Sequence, residues 1–545
     1  MMLILILWSG GVHIVLPNHG GSGLALPQNI VTWGAMALIA LWCAGTQRVG
    51  KYSSGFVLPP GTGLLIAGVI LWTLPLLWSP KAAWRLNAAP RCLALWAMAG
   101  FYLVLLFATP CRNIRRPVLA IISAGAGMQA AHALWQLSGI AILPGGRPYG
   151  SFQQVNVLAS CLATGIACAL WLFLHHARRT SRRLSGTALV VLPAVLALLQ
   201  SRAGTLGAVL AVGVLLTTGR RAPVWRALAL LTAGAGAGLL WLWAGPLVLP
   251  EWAPPLIDKT SSTHSRLYML QVTWQLIRQH PVTGNGYGGF EALYGQLAQI
   301  MTPGLEAATV KYPHNELLFA WAEGGMVAVL GLLLMVAGVV KRFCSASGTG
   351  IAGLAFLLPI AVHMNLEYPL YQSATHSLTL IMLLVIGGPG VKRLAIDPGR
   401  SLRGVIPIAR AGRWVTGATA TAGLLFMITG LQTQHRLTRV EQQGLKPLVS
   451  NEPQVLASLY NPWSQASRLD FDRHVALLLR FNHTRDPALL DAFRRWGTRY
   501  SETHNDPEVY ASLLAIARAQ RLPEADRLCQ QAHGRWLSDP RFRCQ

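Results

Sequence analysis

Long apolar runs alternate with short polar connections over residues 1–430, and the alternation stops there. A helix needs roughly 20 predominantly apolar residues to cross the hydrocarbon core of a bilayer. About thirteen segments meet that criterion, near 1–17, 31–46, 62–79, 92–109, 118–140, 155–175, 187–200, 203–218, 228–248, 317–340, 351–366, 374–390 and 414–430. The segments 187–200 and 203–218 are joined only by Ser201 and Arg202. The opening Met1–Gly10 lacks a basic lead and a small-residue cleavage site, so it reads as an uncleaved first span rather than a signal peptide. Past residue 430 the pattern becomes that of amphipathic helices near 468–482, 486–500, 507–520 and 523–536, divided by Asp-Pro and Leu-Pro pairs at 486–487, 506–507 and 522–523. Ala and Leu recur there at helical spacing, which suggests tetratricopeptide-like hairpins without that repeat's clean consensus. The expected fold is all-α: a polytopic membrane domain over 1–430, holding a large loop at 249–316, and a soluble helical domain over 431–545.

Composition sharpens this division. Only 12% of residues are charged, about half the share of a soluble protein. The net charge of +25 comes from 45 basic and 20 acidic residues, and no Asp or Glu precedes Glu251. Residues 431–545 instead hold 16 basic and 12 acidic residues, an ordinary soluble mixture. A basic excess can signal nucleic-acid binding, but these arginines sit in clusters between apolar runs, as the positive-inside rule requires. The even-numbered connections carry twenty Lys and Arg and the odd-numbered ones nine. The N-terminus is therefore expected in the cytoplasm of a bacterial cell, with the protein in the inner membrane. The 249–316 loop and the C-terminal domain are expected in the periplasm, and no nucleic acid is expected as partner. Arg85 and Arg91 run against the rule locally. No acid lies in the first nine spans, so a carboxylate relay for proton coupling would have to come from elsewhere.

Candidate chemistry gathers on the outer face of this topology. Arg202 lies in Gln-Ser-Arg-Ala-Gly between two spans, where a snorkelling anchor is the plain alternative. The 249–316 loop contains Ser-Ser-Thr-His-Ser-Arg at 261–266 and the glycine-rich run His280 to Phe290. Those glycines allow either a close approach to phosphate or ordinary turns, and no Gly-Lys-Ser/Thr follows to make a P-loop. The loop ends in Lys311-Tyr312-Pro313-His314-Asn315-Glu316 directly before a span. Two readings stand side by side there. In one, Pro313 and Asn315 merely start the helix. In the other, His314 is a general base at the membrane surface, oriented by Glu316 or Glu323. A second cluster runs from His363 to Tyr371, with an interfacial aromatic belt as its alternative. There is no His-Glu-x-x-His and no acid cluster for a divalent metal; Asp470 and Asp472 in the tail read as helix-end caps. Six cysteines (43, 92, 111, 161, 168 and 344) lie in or beside spans and read as small apolar residues. Cys529 and Cys544 are the tail's pair, which an oxidising periplasm would let form a disulfide; two free thiols is the alternative.

Three places resemble one family. They are Pro148-Tyr149-Gly150-Ser151-Phe152-Gln153-Gln154-Val155-Asn156-Val157-Leu158-Ala159-Ser160; Ser201-Arg202-Ala203-Gly204 with Ser265-Arg266 and the His280–Phe290 run; and Tyr312–Glu316 with Glu367-Tyr368-Pro369-Leu370-Tyr371. The chain resembles the superfamily of bacterial O-antigen ligases, O-antigen polymerases and O-linked oligosaccharyltransferases, and most closely its pilin and general protein O-glycosylation branch. The resemblance covers most of 140–390. It implies transfer of a glycan from undecaprenyl diphosphate at the outer face of the membrane, with no cofactor and no metal, onto a periplasmic pilin-like acceptor protein. Arg202 and Arg266 would hold the diphosphate, and His314 would take the proton of a Ser or Thr hydroxyl. Tyr368 or Tyr371 matches a tyrosine that matters in the family. Gln153, Gln154 and Asn156 would line the entrance for glycan or lipid carrier, with Lys311, Asn315, Glu316 and Glu367 as further substrate contacts.

Within the class the alternative is an O-antigen ligase or polymerase that uses a sugar hydroxyl as acceptor. From another class, a lipid-linked glycan transporter or flippase would show broken midplane helices or repeated halves, and no halves repeat. A third reading makes the tail a docking module for partners.

Overall fold

The structure, a computed structural model, describes residues 15–46, 56–108, 111–140, 143, 146–175, 178–218, 221–258, 260–301, 309–346, 350–393 and 405–544. Its elements are α1 (Pro27–Thr46), α2 (Thr62–Thr73), α3 (Ala82–Ala108), α4 (Cys111–Trp135), α5 (Val155–His175), α6 (Arg179–Leu198), α7 (Arg202–Leu216), α8 (Arg221–Val248), α9 (Thr260–Gln279) and α10 (Phe290–Met301). There follow α11 (Glu316–Cys344), α12 (Gly350–Met364), the single turn α13 (Pro369–Gln372), α14 (Ala374–Gly387) and α15 (Val405–Gln442). The tail adds α16 (Lys446–Ala457), α17 (Ala466–Thr484), α18 (Pro487–Tyr500), α19 (Pro507–Ala519) and α20 (Ala525–Arg535). The one strand pairing among the described residues is a two-residue antiparallel ladder, Phe56 with Arg393 and Val57 with Lys392. Among the described residues eight helices are long and apolar enough to cross a membrane, and four shorter apolar ones accompany them. These fall on twelve of the expected spans; the remaining one, 1–17, lies almost wholly outside the described residues.

The chain forms two compact units, neither contiguous in sequence. One comprises 1–66, 97–258 and 335–431; the other comprises 67–96, 259–334 and the tail from Gln432.

In the first unit α5 is the central helix, packed against α4, α6, α7 and α12. Its Leu158, Ala159, Leu162, Ala163, Ala167 and Cys168 are fully buried. Small residues let neighbouring backbones approach closely, which is how helices pack where lipid removes the hydrophobic drive. At Gly165 an added Cβ would sit 2.2 Å from the Ala126 Cβ on α4. α14 has 14 residues, so it is about 21 Å long, short of the roughly 30 Å hydrocarbon core. Its ends are buried and need partners within the protein. Two arginines supply them at the C-terminal end. Arg342 donates to Leu384 O (2.8 Å) and Val385 O (3.0 Å), and Arg115 donates to Ile386 O (2.8 Å) and Gly387 O (3.3 Å). All four orphan carbonyls are thus satisfied by cations at the negative end of the helix dipole. At the other end Asn29 Oδ1 accepts from Ala374 N (2.8 Å) and Ser373 Oγ accepts from His376 N (3.3 Å). Arg115 and Arg342, which count towards the charge bias of their loops, therefore also terminate a helix.

In the second unit the Asp-Pro pairs that divide the tail are helix starts. Asp486 and Asp506 accept from backbone N–H groups, with Pro487 and Pro507 as first helical residues. From α16 to α20 each helix packs on the next. Phe493, Trp496, Val509, Leu513 and Ile516 form one core, and Tyr510, Leu514, Ala532, Trp536 and Phe542 another. Cys529 and Cys544 are joined in a disulfide. Of the cysteines read as small apolar residues, Cys43, Cys92 and Cys168 are buried, whereas Cys344 is exposed.

Asp470 and Asp472 are not helix caps, because α17 starts at Ala466 and its first turn holds no acid. Asp470 Oδ2 accepts from Trp496 Nε1 at 2.6 Å, tying α17 to α18. Asp472 is buried, and burial, reinforced by the neighbouring Glu441 carboxylate and a hydrogen bond with it, pushes its carboxyl up to about 8.

Two tests follow from these placements. Arg342→Met leaves the Leu384 and Val385 carbonyls unsatisfied at about 1–3 kcal/mol. It should lower the melting temperature of the detergent-solubilised protein by several degrees, whereas Arg183→Met, at an exposed position, should leave it unchanged; equal melting of the two variants would exclude a capping role. For Asp472, the folded tail keeps a proton up to about pH 8 that the unfolded chain releases near pH 3.9. The stability this gives is complete below the unfolded value and is lost as the pH rises through the folded one. Asp472→Asn stays neutral, so its urea midpoint should fall less than wild type between about pH 5 and about pH 8.5. Pulse proteolysis of the full chain, scored for cuts within α17–α19, measures this; equal falls would mean that Asp472 is ionised in the fold.

Candidate functional site

In the first unit the site is built on the turn before α5. Two glutamines of the α4 segment, fully buried or nearly so, hold it. Gln136 Oε1 accepts from Tyr149 N (3.0 Å) and Gly150 N (2.8 Å), and Gln129 Oε1 accepts from Ser151 N (3.0 Å). Gln153 then takes a left-handed backbone, φ 59°, and its side chain is exposed.

The next residues turn inward. Gln154 Nε2 donates to Glu367 Oε2 at 2.9 Å, and Asn156 Nδ2 donates to Glu367 Oε1 at 2.5 Å. Asn156 Oδ1 accepts from Ser201 Oγ at 2.7 Å. Glu367, only 4% exposed, also meets His363 Nε2 at 3.3 Å. His363 Nδ1 is hydrogen-bonded to Ser160 Oγ (2.8 Å), Ser160 Oγ to His376 Nε2 (2.9 Å), and His376 Nδ1 to Ser373 Oγ (2.9 Å). The chain of polar groups thus links the starts of α5, α7 and α14 with the end of α12. A buried carboxylate without such donors would cost several kcal/mol. Of the three residues expected to line an entrance, Gln154 and Asn156 spend these amide donors on Glu367, and Gln153 is the exposed one.

Ser201 starts α7, its Oγ accepting from Gly204 N at 3.2 Å. Just before it Gln200 is left-handed, φ 51°. Both ends of the Gln200 side chain are bonded to the backbone of the 255–257 segment: Nε2 donates to Pro255 O (2.8 Å) and Oε1 accepts from Ile257 N (3.1 Å). Arg147 donates to Leu199 O at 3.2 Å. Arg202, the first residue of α7, is exposed. A guanidinium beside a helix N-terminus, where the dipole is positive, suits an anion. Tyr368 directly precedes α13 and Tyr371 lies within it; both are half-buried. Burial and the neighbouring Glu367 carboxylate hold the Tyr368 phenol above its ordinary range, so it stays a hydrogen-bond donor.

In the second unit the glycine-rich run packs onto a break in α11. Gly325 there has φ 64°, which an L side chain adopts only with strain. Asn285 N donates to Ala322 O (3.0 Å), Gly286 N to Glu323 O (2.9 Å) and Met326 N to Val282 O (3.0 Å). An added Cβ on Gly284 would sit 2.2 Å from Glu323 O. Gly284 thus allows close backbone packing against α11, while Gly286, Gly288 and Gly289 lie against Pro80 and Trp84, so close packing accounts for all four. Glu323 Oε1 accepts from Gly288 N (2.9 Å) and Phe290 N (3.3 Å), while its other oxygen pairs with Arg91. The Arg91 guanidinium lies over the Tyr287 and Phe319 rings. Glu323 is thus committed to this fold element, and Arg91, which runs against the charge rule, has a buried partner.

Asn315 caps α11, its Oδ1 accepting from Leu318 N at 2.9 Å, and Glu316 is the acid of the first turn. The helix-start reading of this motif therefore holds for Asn315. His314, half-buried, sits immediately before the cap with φ 56°. Such backbone costs of order 1–3 kcal/mol and gathers at functional sites. Lys311 is exposed and Arg266, on α9, is half-buried. Glu291 on α10 faces the tail. Burial raises its carboxyl, but the hydrogen bond and charge of His504, the Asn505 N–H and the charge of Lys311 together bring it below the ordinary range.

His376, Ser373, Gln129, Gln136 and Arg147 are structural members of the site that lie outside the motifs, and Ser160, the last residue of the first motif, is one to which the motif reading gives no role. The polar run Ser373 to Ser377 at the head of an apolar span is the available signal, as is the spacing of seven between Gln129 and Gln136, which puts both on one helix face. Among the described residues no group of His, Cys, Asp and Glu could hold a metal ion.

Residues 156–335 match the family described as O-antigen ligase, and residues 351–542 match the family described as virulence factor membrane-bound polymerase, C-terminal. We found no match among curated proteins. The first match spans Arg202, Arg266 and His314, and the second spans the Glu367–Tyr371 cluster and nearly all of the tail. With its apolar helices, the chain belongs to the superfamily of membrane glycosyl-transfer proteins that unites the O-antigen ligases and the membrane-bound polymerases.

Proposed function

We propose that this protein is an O-linked oligosaccharyltransferase of the bacterial inner membrane, moving a glycan en bloc from undecaprenyl diphosphate to Ser or Thr hydroxyls of a pilin-like periplasmic protein. The observation that carries the reading is the O-antigen ligase match across Arg202, Arg266 and His314. It is supported by the strained backbone at His314 and at Gln200, next to Arg202. In the proposed reaction the guanidiniums of Arg202 and Arg266 bind the diphosphate and stabilise the charge that builds on it as it leaves. His314 accepts the proton of the acceptor hydroxyl. The hydroxyl oxygen bonds to the anomeric carbon, the bond from that carbon to phosphate breaks, and lipid diphosphate departs. Inversion at the anomeric carbon follows from direct displacement. Gln153, exposed at the turn before α5, and Lys311, exposed before His314, are the proposed outer contacts for glycan or carrier. Tyr368 serves as a neutral donor, and the loop and tail lie in the periplasm, as the charge bias of the connections suggests.

The match of 351–542 to a polymerase family favours a second reading, in which the acceptor is a sugar hydroxyl. Incubating the purified chain with lipid-linked glycan and a pilin decides between them. Glycan on the pilin supports the first reading; longer lipid-linked chains with unmodified pilin support the second. Under either, His314→Ala should cut the initial rate at least about a hundredfold. Arg202→Lys and Arg266→Lys, which keep charge but lose the fork, should cut it about tenfold. Full activity of His314→Ala would rule out the base.

A further inference from the structure

We infer that the turn between α18 and α19 of the tail is a positioning clamp for the segment that carries His314. The inference rests on the proposed role of His314, but its geometry stands independently. The turn, residues 501–506, makes hydrogen bonds on several sides. His504 Nδ1 meets Glu291 Oε2 at 3.0 Å, and Asn505 N donates to Glu291 Oε1 at 3.0 Å, so one carboxylate of α10 receives both. Thr309 Oγ1 donates to Asn505 O at 2.8 Å. Trp84 Nε1, near the start of α3, donates to Glu502 O at 2.8 Å.

Asn505 is fully buried and is held from behind by Arg535 of α20, whose Nη1 donates to Asn505 Oδ1 (2.8 Å) and also to the Tyr510 hydroxyl (2.7 Å). The approach to α10 is close enough that a Cβ on Gly295 would sit 2.6 Å from Asn505 Nδ2. Thr309 lies five residues before His314, and Lys311 between them adds its charge to the same Glu291. A tail that served only to dock an acceptor would have no need of a buried asparagine whose backbone carbonyl is bonded to the base-bearing segment. A clamp needs that bond, because a left-handed residue such as His314 keeps its conformation only where its surroundings hold it. Thr309, Glu291, His504 and Asn505 are positioning residues; none is placed against the reacting atoms.

The test uses the full chain in detergent and two readouts. Thr309→Val keeps the shape and removes the hydroxyl donor, Thr309→Ser retains the donor, and Glu291→Gln removes the charge that His504 and Lys311 face. Hydrogen–deuterium exchange of residues 309–316 should rise about tenfold in Thr309→Val and Glu291→Gln and stay at the wild-type level in Thr309→Ser. With lipid-linked glycan and acceptor, kcat should fall about tenfold in the first two variants while KM for the acceptor stays within about twofold. Unchanged exchange at 309–316 overturns the clamp. Raised exchange with unchanged kcat, or a raised acceptor KM with unchanged kcat, overturns its positioning role. If His314→Ala retains full activity, the catalytic reading fails, and the exchange measurement still decides whether the clamp exists.

Discussion

In an apolar surrounding a buried polar group must find its partners within the protein, and the Glu367 carboxylate is where the first unit meets that demand. It draws in Gln154, Asn156 and His363, and through them Ser201, Ser160, His376 and Ser373. Each bond fixes a helix end that has few other reasons to stay where it is, since the helices themselves meet through small, non-directional contacts. The start of α7, and with it Arg202, is placed by this polar chain from one side and by the two bonds of Gln200 to the 255–257 segment from another. An exposed arginine on a long side chain gains precision only when its own Cα is fixed in this way.

The second unit meets the same demand with charge and with close backbone approach. Glu323 is matched by Arg91 and two backbone N–H groups, and the glycine-rich run fits the break at Gly325 with almost no side chain between. Another of its buried carboxylates, Glu291, joins loop to tail. Glu367, Glu323 and Glu291 are each matched by donors within the protein. Acids matched in this way, and the absence of any acid before Glu251, suit the proposed anionic carrier.

The spans were legible because a bilayer imposes length and apolarity directly on the sequence, and the tail helices because Asp-Pro both caps and interrupts. The division of the chain into units was not legible. Residues 67–96 read as another span and its connection, yet they belong with the 259–334 segment and the tail. The ties that show this, such as Asn87 Nδ2 to Gly288 O and Trp84 Nε1 to Glu502 O, join residues 201 and 418 positions apart and leave no periodic trace. Asp470 and Asp472 misled for a related reason. Acids near a predicted helix start read as caps, whereas the helix begins four residues before Asp470, and the two acids face Trp496 and Glu441. The glycine run gave two readings because glycine permits either close packing or a ligand, and only the partner backbone decides.

The motif residues separate into two kinds that sequence alone cannot tell apart. Gln154, Asn156, Glu367 and Asn315 are polar residues of the family motifs whose hydrogen bonds build the scaffold. Gln153, Arg202 and Lys311 carry the same kind of signal but are exposed. Backbone conformation marks the boundary between them. Among the described residues other than glycine, six have positive φ; three lie at helix junctions of the tail, and the other three are Gln153, Gln200 and His314. Each of those three lies where side chains bonded within the protein stand beside one that is exposed or half-buried. Gln153 precedes Gln154, Gln200 precedes Ser201 and Arg202, and His314 precedes the cap Asn315. A left-handed residue reverses the local direction of the chain, so it lets one short motif both anchor itself in the scaffold and present a neighbouring side chain. The energy stored in these turns is held by the hydrogen bonds beside them, which is why the scaffold residues recur in the motif together with those that would touch substrate.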